Sequence, residues 1–144
     1  MAQTHILILG SSGYIGSALN QHLGSANKGF LVDGCDVVGY GNTSPRFLHD
    51  YDVLDETILE QYDTIVLLAG NSSVRSCEGS LNPVIDNNVT KFINLLNKLS
   101  RISNPNQILI YASSASVYGQ APKIQSRESD LLPPPINHYD LTKQ

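Results

Sequence analysis

Apolar residues in this chain fall into two patterns. Short unbroken runs, Ile6-Leu7-Ile8-Leu9, Ile65-Val66-Leu67-Leu68 and Ile108-Leu109-Ile110, alternate with stretches where apolar side chains recur every three or four positions. Unbroken runs rich in β-branched residues suit strands covered on both faces of a parallel sheet. The first predicts a strand over Thr4–Leu9. A helix follows from Ser12 or Gly13 to about Leu23, with Tyr14, Ile15, Ala18, Leu19 and Leu23 as its apolar face. The second strand has two candidates, Phe30-Leu31-Val32-Asp33 and Asp36-Val37-Val38-Gly39-Tyr40. The latter is preferred, because Gly41-Asn42-Thr43-Ser44-Pro45 gives it a clear stop. Tyr51–Asp55 reads as a short third strand leading into a helix near Glu56 to Gln61. Thr64–Gly70 is a fourth strand, and Gln107–Ala112 a fifth. Between these two, Asn82-Pro83 opens a long helix through Leu99, with Val84, Ile85, Val89, Phe92, Leu95 and Leu96 on its apolar face. Strand and helix alternate throughout, which predicts an α/β fold, a doubly wound parallel sheet of about five strands in the order 3-2-1-4-5.

In such sheets ligands bind beyond the carboxyl ends of the strands, where the order reverses. Three stretches are expected on that edge: Gly10–Gly16, Ala69-Gly70 and Ser113–Ser116. The first carries glycines at the spacing G-x-x-G-x-x-G between a strand and a helix. Glycine lets a backbone turn tightly and approach a ligand closely. The helix that opens there offers unpaired N–H groups and the positive end of its dipole, for which a pyrophosphate is the natural guest. An acid about 20 residues past the glycines would bind an adenosine ribose. With the preferred second strand, Gly41 takes that place. With the other candidate Asp33 does, and Asp33 is equally readable as a solvated turn residue. Arg46 could meet a 2′-phosphate or simply be solvated.

Composition narrows the class. The chain has 144 residues and 41% apolar content, enough for one domain with a substantial core. Its net charge is −4, which gives no electrostatic support to a nucleic-acid role. No apolar run approaches the length of a membrane span, and the amino terminus enters a strand with no signal-peptide core. Cys35 and Cys77 are expected to be buried free thiols in a reducing compartment, so the expected location is cytoplasmic. No metal cluster is expected.

Ser114, Tyr139 and Lys143 are the candidate catalytic residues. Tyr139-x-x-x-Lys143 places a phenol and an ammonium one helical turn apart. An ammonium nearby favours phenolate, and such a group can take a proton from a sugar hydroxyl. A serine hydroxyl beyond the fifth strand could hold the same oxygen. Taken alone, the tyrosine–lysine spacing is that of any amphipathic helix pair.

The motifs occur in series. Gly10-x-x-Gly13-Tyr14-Ile15-Gly16, Asp52-Val53, Leu68-Ala69-Gly70-x-Ser72-Ser73-Val74, Asn82-Pro83, Asn88-Val89, Ser113-Ser114-Ala115-Ser116-Val117-Tyr118-Gly119 and Tyr139-x-x-x-Lys143 run in one order over almost the whole chain. In this the chain resembles the NAD-dependent epimerase/dehydratase family of extended short-chain dehydrogenases, the UDP-glucose 4-epimerase branch in particular. The resemblance implies a Rossmann-like domain binding NAD, with NADP left open, and hydride chemistry on a nucleotide sugar. It implies that Gly10, Ser12, Gly13, Tyr14, Ile15 and Gly16 bind the cofactor, the backbone around Gly13–Gly16 holding the pyrophosphate. Asp52, with the backbone of Val53, would meet the adenine amine. Leu68, Ala69 and Gly70 would pass under the nicotinamide-side ribose, with Asn88 near the active site. Ser114 and Ser116 would orient the substrate oxygen, Tyr139 would act as acid/base, and Lys143 would also bind the ribose. Family members are about twice as long, so the resemblance implies an incomplete domain that lacks the last strands and the sugar-binding part. The open edge of strand five is then expected to associate, which makes a homodimer the expected assembly. The alternatives are a non-catalytic dinucleotide-binding or regulatory module, or a related reductase.

Overall fold

The computed structural model describes residues 3–25, 29–39, 45–72, 74–119 and 125–144. The chain divides into two compact units, residues 1–69 with 94–112 and residues 70–93 with 113–144.

The first unit is built on a five-stranded parallel sheet. Its strands are β1 (Thr4–Leu9), β2 (Phe30–Asp36), β3 (Phe47–Leu48), β4 (Thr64–Leu67) and β5 (Ile108–Tyr111), in the order β3-β2-β1-β4-β5. This is the expected order. Because side chains alternate along a strand, Ile6, Ile8 and Val66 share one face. Helix α1 (Tyr14–Gly24) lays Leu19 and Leu23 on them, together with Val32 and Leu68. Leu7, Leu9, Ile65 and Leu67 point the other way and are also buried, as are Tyr51, Leu54, Leu59, Tyr62 and Leu95. Both faces of the central strands are therefore covered, which is why their sequences read as unbroken apolar runs.

Four expectations need correction. The second strand is Phe30–Asp36, so the Phe30 candidate, extended by three residues, replaces the Asp36–Tyr40 one. Its ladder with β1 runs from Thr4↔Phe30 to Leu9↔Cys35. At Gly10 the backbone turns away with φ +91°, so β1 offers no further ladder groups, and Val37 and Val38 lie exposed. Tyr40 and Gly41 lie outside the described residues. Second, the Tyr51–Asp55 stretch is not a strand. Asp50 accepts a hydrogen bond from the Asp52 amide at 3.1 Å and caps a 3₁₀ turn over Tyr51–Val53. This buries Tyr51 and Leu54, three residues apart on one side of the turn. Asp55 then caps α2 (Glu56–Leu59) through the Ile58 amide. Third, Tyr14, Ile15 and Ala18 do not face the sheet. Tyr14 is 95% and Ile15 63% exposed, and the buried stripe of α1 is Gly16, Leu19 and Leu23. Fourth, the long helix is interrupted. It comprises α3 (Leu81–Ile85), a π-helical turn over Asp86–Thr90, and α4 (Lys91–Leu99).

The second unit holds α3, the π turn, a 3₁₀ turn over Ala115–Tyr118 and α5 (His138–Lys143). Helix α5 packs on all three. Cys35 and Cys77 are both buried and form no disulfide. No helix among the described residues is long and apolar enough to cross a membrane.

Candidate functional site

The glycine turn leaves no room for a side chain at two positions. A Cβ on Gly10 would stand 2.6 Å from the Ala69 amide nitrogen, and one on Gly16 only 2.0 Å from the Gly10 carbonyl oxygen. Glycine is therefore required at both. The amides of Leu68 and Ala69 both donate to the Leu9 carbonyl, at 2.8 and 2.9 Å, which draws the end of β4 against the turn. Gly13, the residue before α1, has no side chain and gives the helix no side-chain cap. The first-turn amides of a helix have no intrahelical partner, and here no cap occupies them. Exposed Tyr14 and Ile15 follow directly. An uncapped eleven-residue helix opening on glycine fits an anionic group such as a pyrophosphate.

Asp36 is the residue that the sequence reading missed. It closes β2, 20 positions after Gly16, and its Oδ2 accepts a hydrogen bond from the Ser12 amide at 2.9 Å. The Ser12 hydroxyl donates to the Val38 carbonyl at 2.6 Å. The signal was the spacing itself, and the displaced second strand concealed it. Asp33 lies in the middle of β2, where its Oδ2 accepts from Arg46 at 2.6 Å and from the Tyr62 hydroxyl at 2.8 Å. Asp33 is thus a partly buried strand residue and not a solvated turn residue, while Arg46 is a surface arginine, more than half exposed, that pairs with it. Burial, reinforced by the bond to Asp33, holds the Tyr62 hydroxyl well above its ordinary range. Desolvation likewise pushes the Cys35 thiol up to about 12, with Asp36 and Asp50 adding to the effect.

Asp52 sits on the 3₁₀ turn just past β3. Its Oδ1 accepts from Asn94 Nδ2 of α4 at 3.2 Å, and its backbone carbonyl accepts from Lys98 Nζ. The capping work is done by Asp50 and Asp55, so Asp52 is no helix cap. The Val53 amide is engaged within the turn, donating to the Asp50 carbonyl at 3.2 Å.

In the second unit Asn88 is buried and nearly saturated. Its Oδ1 accepts from the Asn71 amide at 2.7 Å, and its Nδ2 donates to the Asn71 carbonyl at 3.1 Å and to Thr142 Oγ1 at 3.0 Å. Thr142 passes its own proton to the Tyr139 carbonyl at 2.9 Å. The π turn sets the angle at which Asn88 leaves its helix, and Gly70, at φ +141°, has no Cβ to strike its Oδ1. The helix carrying Tyr139 and Lys143 is thereby fastened to the π turn. Asn137 caps α5 through the Asp140 amide, and its Nδ2 donates to the Asp140 carboxylate at 2.7 Å. Gln144 ties its far end to the Val117 and Pro133 carbonyls. Ser114 caps the neighbouring 3₁₀ turn, and its hydroxyl lies 2.9 Å from that of Ser116. Ser114, Ser116, Tyr139 and Lys143 thus fall in one unit. The glycine turn, Asp36, Asp52, Leu68 and Ala69 fall in the other.

The chain is 34% identical to protein CapI of Staphylococcus aureus, over 96% of this chain and 46% of CapI. It is 28% identical to UDP-glucuronate 4-epimerase 5 of Arabidopsis thaliana, over 96% of this chain and 36% of that protein. Among solved structures it resembles the UDP-glucuronic acid 4-epimerase from Bacillus cereus, in complex with UDP-glucuronic acid and NAD. There the TM-score is 0.78 and the identity 28%, over 97% of this chain and 49% of the other. The chain thus spans less than half of each of these relatives. The family model for NAD dependent epimerases and dehydratases matches residues 6–144. On that match, which takes in nearly every residue described above, the chain belongs to the NAD dependent epimerase/dehydratase family.

Proposed function

We propose that this chain binds NAD through the glycine turn and carries the acid–base residues of a nucleotide-sugar epimerase or dehydratase. The observation that carries the reading is the β1–turn–α1 unit, with two obligatory glycines and a helix that begins without a side-chain cap. The first-turn amides of Tyr14, Ile15 and Gly16 would hold the pyrophosphate, and Gly10, Ser12 and Gly13 would shape the turn that lets it approach. Asp36 would accept from the adenosine ribose hydroxyls, the role a carboxylate at this spacing performs. Its negative charge would disfavour a 2′-phosphate, and Arg46, paired with Asp33, is not placed to offset that charge. Together these support NAD over NADP.

When bound, the nicotinamide supplies a hydride acceptor. Within the chain, Tyr139 would take the proton from the reacting sugar hydroxyl, and Ser114 with Ser116 would hold that oxygen. Lys143, one turn beyond Tyr139, would favour the phenolate and hold the nicotinamide ribose. Leu68, Ala69 and Gly70 would border that ribose, and Asn88 would keep α5 in place. The substrate class, a nucleotide sugar, rests on the relatives. Buried thiols that form no disulfide support a reducing, cytoplasmic setting.

Calorimetric titration tests the cofactor reading. NAD is expected to bind more tightly than NADP, and Asp36→Asn to weaken NAD at least about tenfold, the scale of a hydrogen bond to a charged group. Equal affinity for the two nucleotides, unchanged by Asp36→Asn, would remove Asp36 from the site.

A further inference from the structure

The clamp on Asp52 points to a specificity device. Asn94 and Lys98 stand four residues apart, one turn of α4, and both reach the same 3₁₀ turn. Lys98 grips the Asp52 backbone carbonyl and Asn94 grips one carboxylate oxygen. The Asp52 amide is held by Asp50, so every polar group of Asp52 is committed except Oδ2, which takes no hydrogen bond from the described residues. Next to it Val53 is 66% exposed, although its neighbours Tyr51 and Leu54 are buried. The family resemblance assigns the adenine amine to Asp52, and a fixed acceptor beside an exposed apolar side chain fits that assignment. The turn follows β3 directly, so it lies past the same carboxyl edge of the sheet as the glycine turn and Asp36.

We propose that Asn94 is a positioning residue for base recognition: by holding Asp52 Oδ1 it presents Oδ2 to the exocyclic amine of the adenine. The proposal rests on the NAD-binding reading and adds a residue to it. Asn94 touches no nucleotide. It acts by removing the rotational freedom of a carboxylate that sits on an otherwise rigid turn.

The test uses two ligands on the same chain, NAD and nicotinamide hypoxanthine dinucleotide, which replaces the exocyclic N–H donor by a carbonyl acceptor. The ratio of their affinities cancels any general loss of folded protein. The wild-type chain is expected to prefer NAD at least about tenfold, the range for a charge-assisted hydrogen bond. Asn94→Ala should lower that preference threefold or more while leaving the hypoxanthine analogue's affinity unchanged. Asp52→Asn should abolish the preference, and adding Asn94→Ala to it should have no further effect on the ratio. A preference retained in full by Asn94→Ala would overturn the role of Asn94. Equal wild-type binding of the two ligands would overturn base recognition at Asp52 and leave NAD binding intact. If neither ligand bound, the NAD reading itself would fall, and this proposal with it.

Discussion

At the scale of single residues, the account rests on positions where one atom too many is not tolerated. Gly16→Ala would drive a methyl into the Gly10 carbonyl. Overpacking of this kind costs roughly 1–3 kcal/mol, so a fall in the urea midpoint is expected, with loss of nucleotide binding. Gly13→Ala makes the contrast. Its nearest neighbour would be 3.4 Å away, an ordinary contact, so stability should hold while affinity for a pyrophosphate drops. Cys35 gives a prediction in pH. Its thiol is held near 12, against an ordinary value of 9.0. Below about pH 9 the thiol is protonated in both folded and unfolded chains and leaves stability unchanged. Above that, the unfolded chain releases the proton and the folded chain keeps it. Stability should therefore decline as pH rises from about 9 toward 12. Thermal melts across that range should show a shallower slope for Cys35→Ala. The raised Tyr62 hydroxyl acts in the same direction and leaves a residual slope. A slope unaltered by Cys35→Ala would remove the thiol from the explanation.

At the scale of elements, the sequence was most readable where burial is uniform. β1, β4 and β5 announce themselves as apolar runs, and α1 follows from the glycine turn before it. β2 was hidden because two residues in its interior speak against a strand. Asp33 is charged, but Arg46 and Tyr62 satisfy it. Gly34 lacks a side chain because Ser11 occupies that space, where a Cβ would meet its Oγ at 2.4 Å. Neither partner is visible from local pattern. The rival, Asp36–Tyr40, has the clearer stop signal, yet past Asp36 its described residues 37–39 join no strand. β3, with two residues, is too short to read at all. The π turn is of the same kind: it leaves no signature in the spacing of apolar residues, yet it aims Asn88. Asn88→Ala would remove the bonds to the Asn71 amide and carbonyl and take from Thr142 its donor, a loss of about 2–3 kcal/mol. Slowed hydrogen exchange in α5 should then vanish before it does in the sheet. Equal protection of α5 in both proteins would argue that this network does not fasten the helix.

At the scale of the whole molecule, the glycine turn and the Ser114 turn were legible because turn geometry constrains residue type there, whereas Asn88 and Tyr139–Lys143 lie within helices and were legible only through the series. The residues proposed for the adenosine side belong to the first unit and those proposed for acid–base chemistry to the second. Saturating NAD should raise the melting temperature of the chain, following the mass-action law for a ligand that binds only the folded state. A melting temperature unchanged by NAD would contradict the cofactor reading. The claim on which all of this depends is that the amides opening α1 receive the pyrophosphate. The most direct measurement is a titration of the ¹⁵N-labelled chain with NAD, followed by amide chemical shifts. The largest changes are predicted at Tyr14, Ile15 and Gly16, with Ser12 moving as Asp36 turns to the ribose. Amides of α1 that stay in place at millimolar NAD would contradict it.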